Sequence, residues 1–167
     1  MRRPRSGRLS CRGGRFRQQL EQPPPKRSKR TELSAEQRLI YADSSALVKL
    51  IVNEPETEAV RAHLAPATSV ITSRVATVEV TRAAGLANPT DDVRRAVDRL
   101  LRGCVLVSVS SPLLRSARLL ASASLRTLDA IHLASAMRVE ADELVAYDLR
   151  LLEAAREHGM RVLSPGR

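Results

Sequence analysis

Four acids, Asp43, Glu79, Asp129 and Asp148, occupy positions where a carboxylate is either costly or well placed to meet a ligand. Asp43 directly follows the apolar run Leu39-Ile40-Tyr41-Ala42, and Asp148 follows Leu144-Val145-Ala146-Tyr147. Each is therefore expected at the C-terminal end of a strand, the edge on which parallel sheets gather their ligands. The other two interrupt apolar helix faces. Leu125, Leu128, Asp129, His132, Leu133 and Ala136 recur at steps of three and four, which predicts an inward side for Asp129. Glu79 lies between Val78 and Val80, with Val75, Ala76, Ala83 and Leu86 around the same face. A carboxylate stripped of water needs a counter-charge.

Two carboxylates about 5 Å apart repel by roughly 3 kcal/mol at an effective dielectric near 20, so four together call for a cation among them. Oxygen ligands without His or Cys suit a hard divalent ion, Mg2+ or Mn2+, and either one ion or two would serve. Such an ion activates water and neutralises charge on a leaving oxygen, which is phosphate chemistry. Taken singly, each acid has a plainer explanation: a surface charge, an ion pair with Arg82, Arg126 or Arg150, or, for Asp43 and Asp148, the cap of the helix that follows. Ser44 and Ser45 suit either a hydrogen bond to an acid or phosphate, or a helix cap. Lys49 reads as a solvated lysine, with phosphate attraction as the second reading, and His132 reads as a core histidine rather than a ligand or base.

Short β-type runs alternating with helical patterns must position these residues, the signature of βα units around a mainly parallel sheet. Strands are predicted at Leu39–Ala42, Ser69–Thr72, Cys104–Val109, Leu144–Tyr147 and Arg161–Leu163. Helices are predicted at Ser45–Val52, Glu56–Leu64, Arg74–Leu86, Asp91–Arg102, Pro112–Ala123, Thr127–Val139 and Leu149–His158. Thr90 suits a helix N-cap, and Gly103 and Gly159 suit helix ends. Asp91 and Asp92 complement a helix N-terminus, while Asp142 and Glu143 fall in the turn before a strand.

The 167 residues, 43% of them hydrophobic, accommodate one α/β domain. Two cysteines, Cys11 and Cys104, without metal-ligand spacing argue against a disulfide framework or a zinc site, and fit a reducing cytoplasm. No apolar run is long enough to span a bilayer, so no membrane association is expected. The net charge of +10 is concentrated at one end: residues 1–38 hold 12 Lys and Arg against Glu21, Glu32 and Glu36, and leave the remainder nearly neutral. With its Pro23-Pro24-Pro25 run and no apolar periodicity, this stretch reads as a disordered basic extension, and residues 39–167 as the folded domain. One Phe, two Tyr and no Trp leave little for stacking bases, so a nucleic acid would be held by charge and shape.

Four blocks carry a resemblance. They are Tyr41-Ala42-Asp43-Ser44-Ser45-Ala46-Leu47-Val48-Lys49, Val78-Glu79-Val80, Leu125-Arg126-Thr127-Leu128-Asp129-Ala130-Ile131-His132-Leu133-Ala134, and Ala146-Tyr147-Asp148-Leu149-Arg150-Leu151-Leu152. In order and spacing they resemble the PIN-domain family, and within it the VapC toxins of bacterial toxin–antitoxin pairs. The resemblance implies a single α/β PIN-like domain in which Asp43, Glu79, Asp129 and Asp148 are the catalytic and metal-binding acids. It also implies metal-dependent RNA hydrolysis leaving a 5′-phosphate and a 3′-hydroxyl, a VapB-type antitoxin as partner, and a homodimer. The alternative is a PIN-like domain that regulates or binds nucleic acid without cutting it.

Overall fold

A computed structural model describes residues 38–121 and 125–167. The basic extension up to residue 37, and the end of the helix predicted to run to Ala123, lie outside the described residues. Five strands, β1 (Leu39–Ala42), β2 (Ser69–Ser73), β3 (Val105–Val107), β4 (Glu143–Val145) and β5 (Val162–Leu163), form one sheet in the order β3-β2-β1-β4-β5. Every pairing is parallel. The helices are α1 (Ser44–Val48), α2 (Thr57–Leu64), α3 (Ala76–Ala87), α4 (Asp91–Arg102), α5 (Ser111–Leu120), α6 (Thr127–Arg138) and α7 (Leu149–Glu157).

Side chains alternate across a strand, and the two faces of this sheet feed separate cores. Ile40, Ala42 and Val145 pack with Ala46 and Leu47 of α1, Val60 and Leu64 of α2, Val80 of α3 and Val97 of α4. Tyr41, Ile71 and Leu144 pack on the opposite face with α5, α6 and α7. The result is three layers, helix, sheet, helix, with β1 at the centre. Successive connections run from β1 through β2 to β3 on one side, then return to β4 on the other, so the strand order reverses between β1 and β4. In doubly wound sheets a crevice opens at the carboxyl ends of the strands at such a point.

Three sequence expectations change. The buried stripe of α3 is Ala76, Val80 and Ala84, while Val78 and Leu86 are 68% and 74% exposed. Glu79 therefore sits on the flank of that stripe and not within an apolar face. In α6 every residue from Ala130 to Ser135, and Ala136 after it, is buried, whereas Leu128 is exposed. The helix is enclosed all round because its small alanines let α5, α7 and the sheet approach together. Glu143, expected in a turn, opens β4 and is 1% exposed. Its carboxylate accepts from Arg38 Nη2 at 2.7 Å and contacts His63 Nε2 at 2.5 Å, with Arg161 Nε at 3.6 Å. This pairing ties Arg38, assigned by sequence to the extension, to the strand edge opposite the crevice.

Candidate active site

Asp43 leaves the end of β1, its backbone N–H donating to Val145 O at 2.9 Å. It is the N-cap of α1: Oδ2 accepts from the Ser45 N–H at 3.0 Å and from the Ser45 hydroxyl at 2.6 Å. Asp148, beyond the end of β4, is the N-cap of α7, accepting from the Arg150 N–H at 2.9 Å and approaching the Arg150 guanidinium at 3.3 Å. Asp129 stands in the first turn of α6, where its Oδ2 accepts from the Arg126 N–H at 3.2 Å. Glu79 projects from the first turn of α3, and its Oε2 accepts from the Ser44 hydroxyl at 2.6 Å. All four acids line one cleft of about 430 Å³, together with Ser44, Ser45, Arg126, Thr127 and Leu128. Capping and cleft-lining thus coexist, since the cap bonds of Asp43 engage one carboxylate oxygen.

The cleft lies where β1 and β4 part, and three helix N-termini, those of α1, α6 and α7, open toward it. Their partial positive charge makes a cluster of carboxylates tolerable there. The electrostatics nevertheless separate the acids. Burial, followed by the charges of Asp148 and Asp43, pushes the Asp129 carboxyl above its usual range. For Glu79, burial alone would raise the pKa, but hydrogen bonds from His132 and Ser44 outweigh it and lower it. Asp148 is likewise lowered against burial by its bonds to Arg150.

His132, expected to be a core residue, is 1% exposed yet reaches this cluster from beneath. Its Nε2 lies 2.8 Å from Glu79 Oε2 and 3.4 Å from Asp43 Oδ1, and its Nδ1 lies 2.8 Å from the Tyr41 hydroxyl. Sequence did hold a signal: His132 falls one turn after Asp129 in an otherwise apolar stretch. Lys49 is not the solvated lysine its sequence suggested. It is buried, bonded to Glu54 at 2.6 Å and Glu56 at 2.9 Å, with its ammonium 4.4 Å from the centre of the Tyr147 ring. Ser45 performs the first of the tasks considered for it, donating to Asp43, whereas the cap of α1 is Asp43 itself; the Ser45 Oγ also accepts the Tyr147 N–H at 2.9 Å, linking the ends of the β1 and β4 segments. Of the arginines considered, Arg150 is paired with Asp148, while Arg126 is exposed at the rim.

The donor set fits a hard divalent cation, since it consists of carboxylate oxygens and the charges of Asp148 and Asp43 act together on Asp129. Among the described residues, no three His, Cys, Asp or Glu side chains converge tightly enough to enclose an ion unaided. A second groove of about 550 Å³ adjoins the cleft, its lining made of apolar residues such as Val48, Val78, Ala83 and Leu128 together with polar and charged ones that include Lys49, Glu54, Glu79 and Arg82.

Comparison with known proteins agrees with this architecture. The PIN-domain family model matches residues 40–157. Ribonuclease VapC46 of Mycobacterium tuberculosis is 43% identical over 128 residues, covering 75% of this chain and 97% of that protein. In crystal structures, M. tuberculosis VapC20, described as a Sarcin-Ricin loop cleaving toxin, aligns with a TM-score of 0.60 at 18% identity, covering 69% of this chain and 94% of that one. A toxin–antitoxin complex from Klebsiella pneumoniae aligns with a TM-score of 0.57 at 20% identity, covering 75% and 97%. These two likenesses concern the fold.

Proposed function

The chain belongs to the PIN-domain family, and from that premise we propose that it is a metal-dependent ribonuclease acting as the toxin of a VapBC-type toxin–antitoxin pair. The observation that carries the proposal is the gathering of Asp43, Glu79, Asp129 and Asp148 around one cleft at the reversal of strand order. Similarity to ribonuclease VapC46 along nearly its whole length supports RNA as the substrate class.

In this reading Asp43, Asp129 and Asp148 hold Mg2+ or Mn2+, and Glu79 completes the site as ligand or base. When bound, the ion supplies an activated water and a counter-charge for the leaving oxygen of a phosphodiester. The chain's own groups do the positioning. Ser45 fixes one oxygen of Asp43, Ser44 fixes one oxygen of Glu79, and Arg126 at the rim attracts the RNA backbone. Hydrolysis leaves a 5′-phosphate and a 3′-hydroxyl.

A VapB-type antitoxin is the partner in this reading, as the fold-level likeness to a toxin–antitoxin complex supports. Its apolar side chains would lie on Val48, Val78, Ala83 and Leu128 of the adjoining groove, with a basic group set against the carboxylates. The toxin itself is a homodimer, which light scattering on the isolated protein tests.

Cleavage of mixed structured and unstructured RNA in Mg2+, Mn2+ or EDTA, with Asp129→Asn purified in parallel, tests the activity. Cutting that requires the ion and disappears in the variant is expected. Full cleavage by Asp129→Asn would refute the site assignment. A folded wild-type protein that cuts no RNA with either ion would favour a non-catalytic PIN-like domain.

A further inference from the structure

Glu79 and Asp43 arrive at the cleft from different elements, and one buried ring touches both. We propose that His132 is a positioning residue for the acid cluster, its Nε2 edge bracing Glu79 and Asp43 relative to one another for a bound divalent ion. The inference rests on the reading of these acids as a metal site.

The proton bookkeeping is determined by the partners. An ionised carboxylate has no proton to give, so the Nε2 that faces Glu79 Oε2 at 2.8 Å carries the hydrogen. On its other side the ring meets the Tyr41 hydroxyl, 2.8 Å from Nδ1, a pair that holds whichever partner carries the shared hydrogen. With both nitrogens occupied and the ring set edge-on to Tyr41, the imidazole has one orientation. Glu79 Oε2 is committed to two donors, His132 and Ser44. Asp43 Oδ2 is committed to Ser45, and Asp43 Oδ1 lies 3.4 Å from the same Nε2. A glutamate on a helix flank would otherwise sample several rotamers. Because His132 shares α6 with Asp129, a single ring also relates that helix to the acids of β1 and α3.

Core-filling is the competing role, and it predicts a different pattern of metal affinity. Mn2+ binding is measured by electron paramagnetic resonance, without RNA, for the wild type, His132→Leu, His132→Gln, Glu79→Gln and the His132→Leu/Glu79→Gln double variant, each checked for folding by circular dichroism. His132→Leu is expected to weaken Mn2+ binding roughly 10–100-fold, the usual effect of removing a group that orients a ligand. His132→Gln, which keeps an N–H donor, should recover part of that loss. In the Glu79→Gln background His132→Leu should cost much less, because the contact through which it acts is already altered. If His132→Leu fails to fold, Tyr41→Phe replaces it, with a smaller loss of affinity that again shrinks beside Glu79→Gln. Mn2+ binding that is weakened by Glu79→Gln but indifferent to His132 and Tyr41, or a His132→Leu loss of the same size in both backgrounds, would overturn the brace and leave the metal site standing. A wild type that binds no Mn2+ would overturn both.

Discussion

Replacing Asp129 by Asn should abolish RNA cleavage and, without metal, make the protein more stable. Like carboxylates about 5 Å apart at an effective dielectric near 20 repel by roughly 3 kcal/mol, which bounds the cost of each like-charge neighbour. The Asp129 side chain is only half buried and its cleft is open to water, so screening reduces the joint effect of Asp148 and Asp43 to about 1 kcal/mol. Asn keeps an oxygen for the Arg126 N–H but forfeits a negative charge in the first turn of α6, worth about 0.5 kcal/mol. The net gain of about 0.5 kcal/mol corresponds to a rise in Tm of roughly 2 °C for a folded unit of this size. Differential scanning calorimetry in EDTA at pH 7 would measure it. Because the folded-state pKa of Asp129 is raised, its charged form is penalised above that pKa, and the penalty vanishes below the unfolded value near 3.8. The gap between the two proteins should therefore close as the pH falls toward 4. Mg2+ at ten times its Kd adds about 1.4 kcal/mol to the wild type alone, which inverts the order of the two melting temperatures. A variant that melts below the wild type in EDTA, or a gap that widens in acid, would refute the reasoning.

Ser45→Ala leaves the Tyr147 N–H without its acceptor and should cost about 1–2 kcal/mol in urea titrations, with a fall in RNA cleavage as Asp43 loses a donor. Lys49→Ala should destabilise by about 1–2 kcal/mol, through its ion pairs and the Tyr147 ring, yet leave the KM for RNA unchanged, because Lys49 is already engaged with Glu54 and Glu56. A raised KM in a folded Lys49→Ala protein would return Lys49 to the substrate site. Glu143→Ala strands Arg38 and His63 at the far edge of the sheet and should cost about 3 kcal/mol in denaturant midpoint, with kcat retained below the melting range.

Local patterns carried most of the architecture. Leu39–Ala42 and Asp91–Arg102 form the elements expected of them to the residue, because a short apolar run and a helix framed by Thr90 and Gly103 are defined by their own sequence. The four acids were also legible as a group, two from their places after strands and two from their interruption of apolar stretches. What periodicity could not decide was which of two apolar stripes on α3 faces the sheet, since Ala76-Val80-Ala84 and Val75-Val78-Leu86 are both plausible until a neighbour covers one. Cys104–Val109 shortens to Val105–Val107 because β3 is an edge strand paired on one side only. The anchoring of Glu143 by Arg38, 105 residues away, depends on a contact that no local window contains. His132 was read as a core histidine, and it is buried, but its contacts with the acids were not legible for a related reason: its partners Tyr41, Glu79 and Asp43 come from elements brought beside it only by the tertiary fold.

The double use of carboxylates as helix caps and as cleft-lining groups bears on how such a protein can change over generations. Asn is as good an N-cap as Asp, so Asp43→Asn or Asp148→Asn, each reachable by a single base change, would remove a charge from the cleft while sparing the start of α1 or α7. Loss of chemistry and loss of fold are thereby uncoupled. A lineage under pressure from its own nuclease can be disarmed in one step and still keep the fold on which selection can act again.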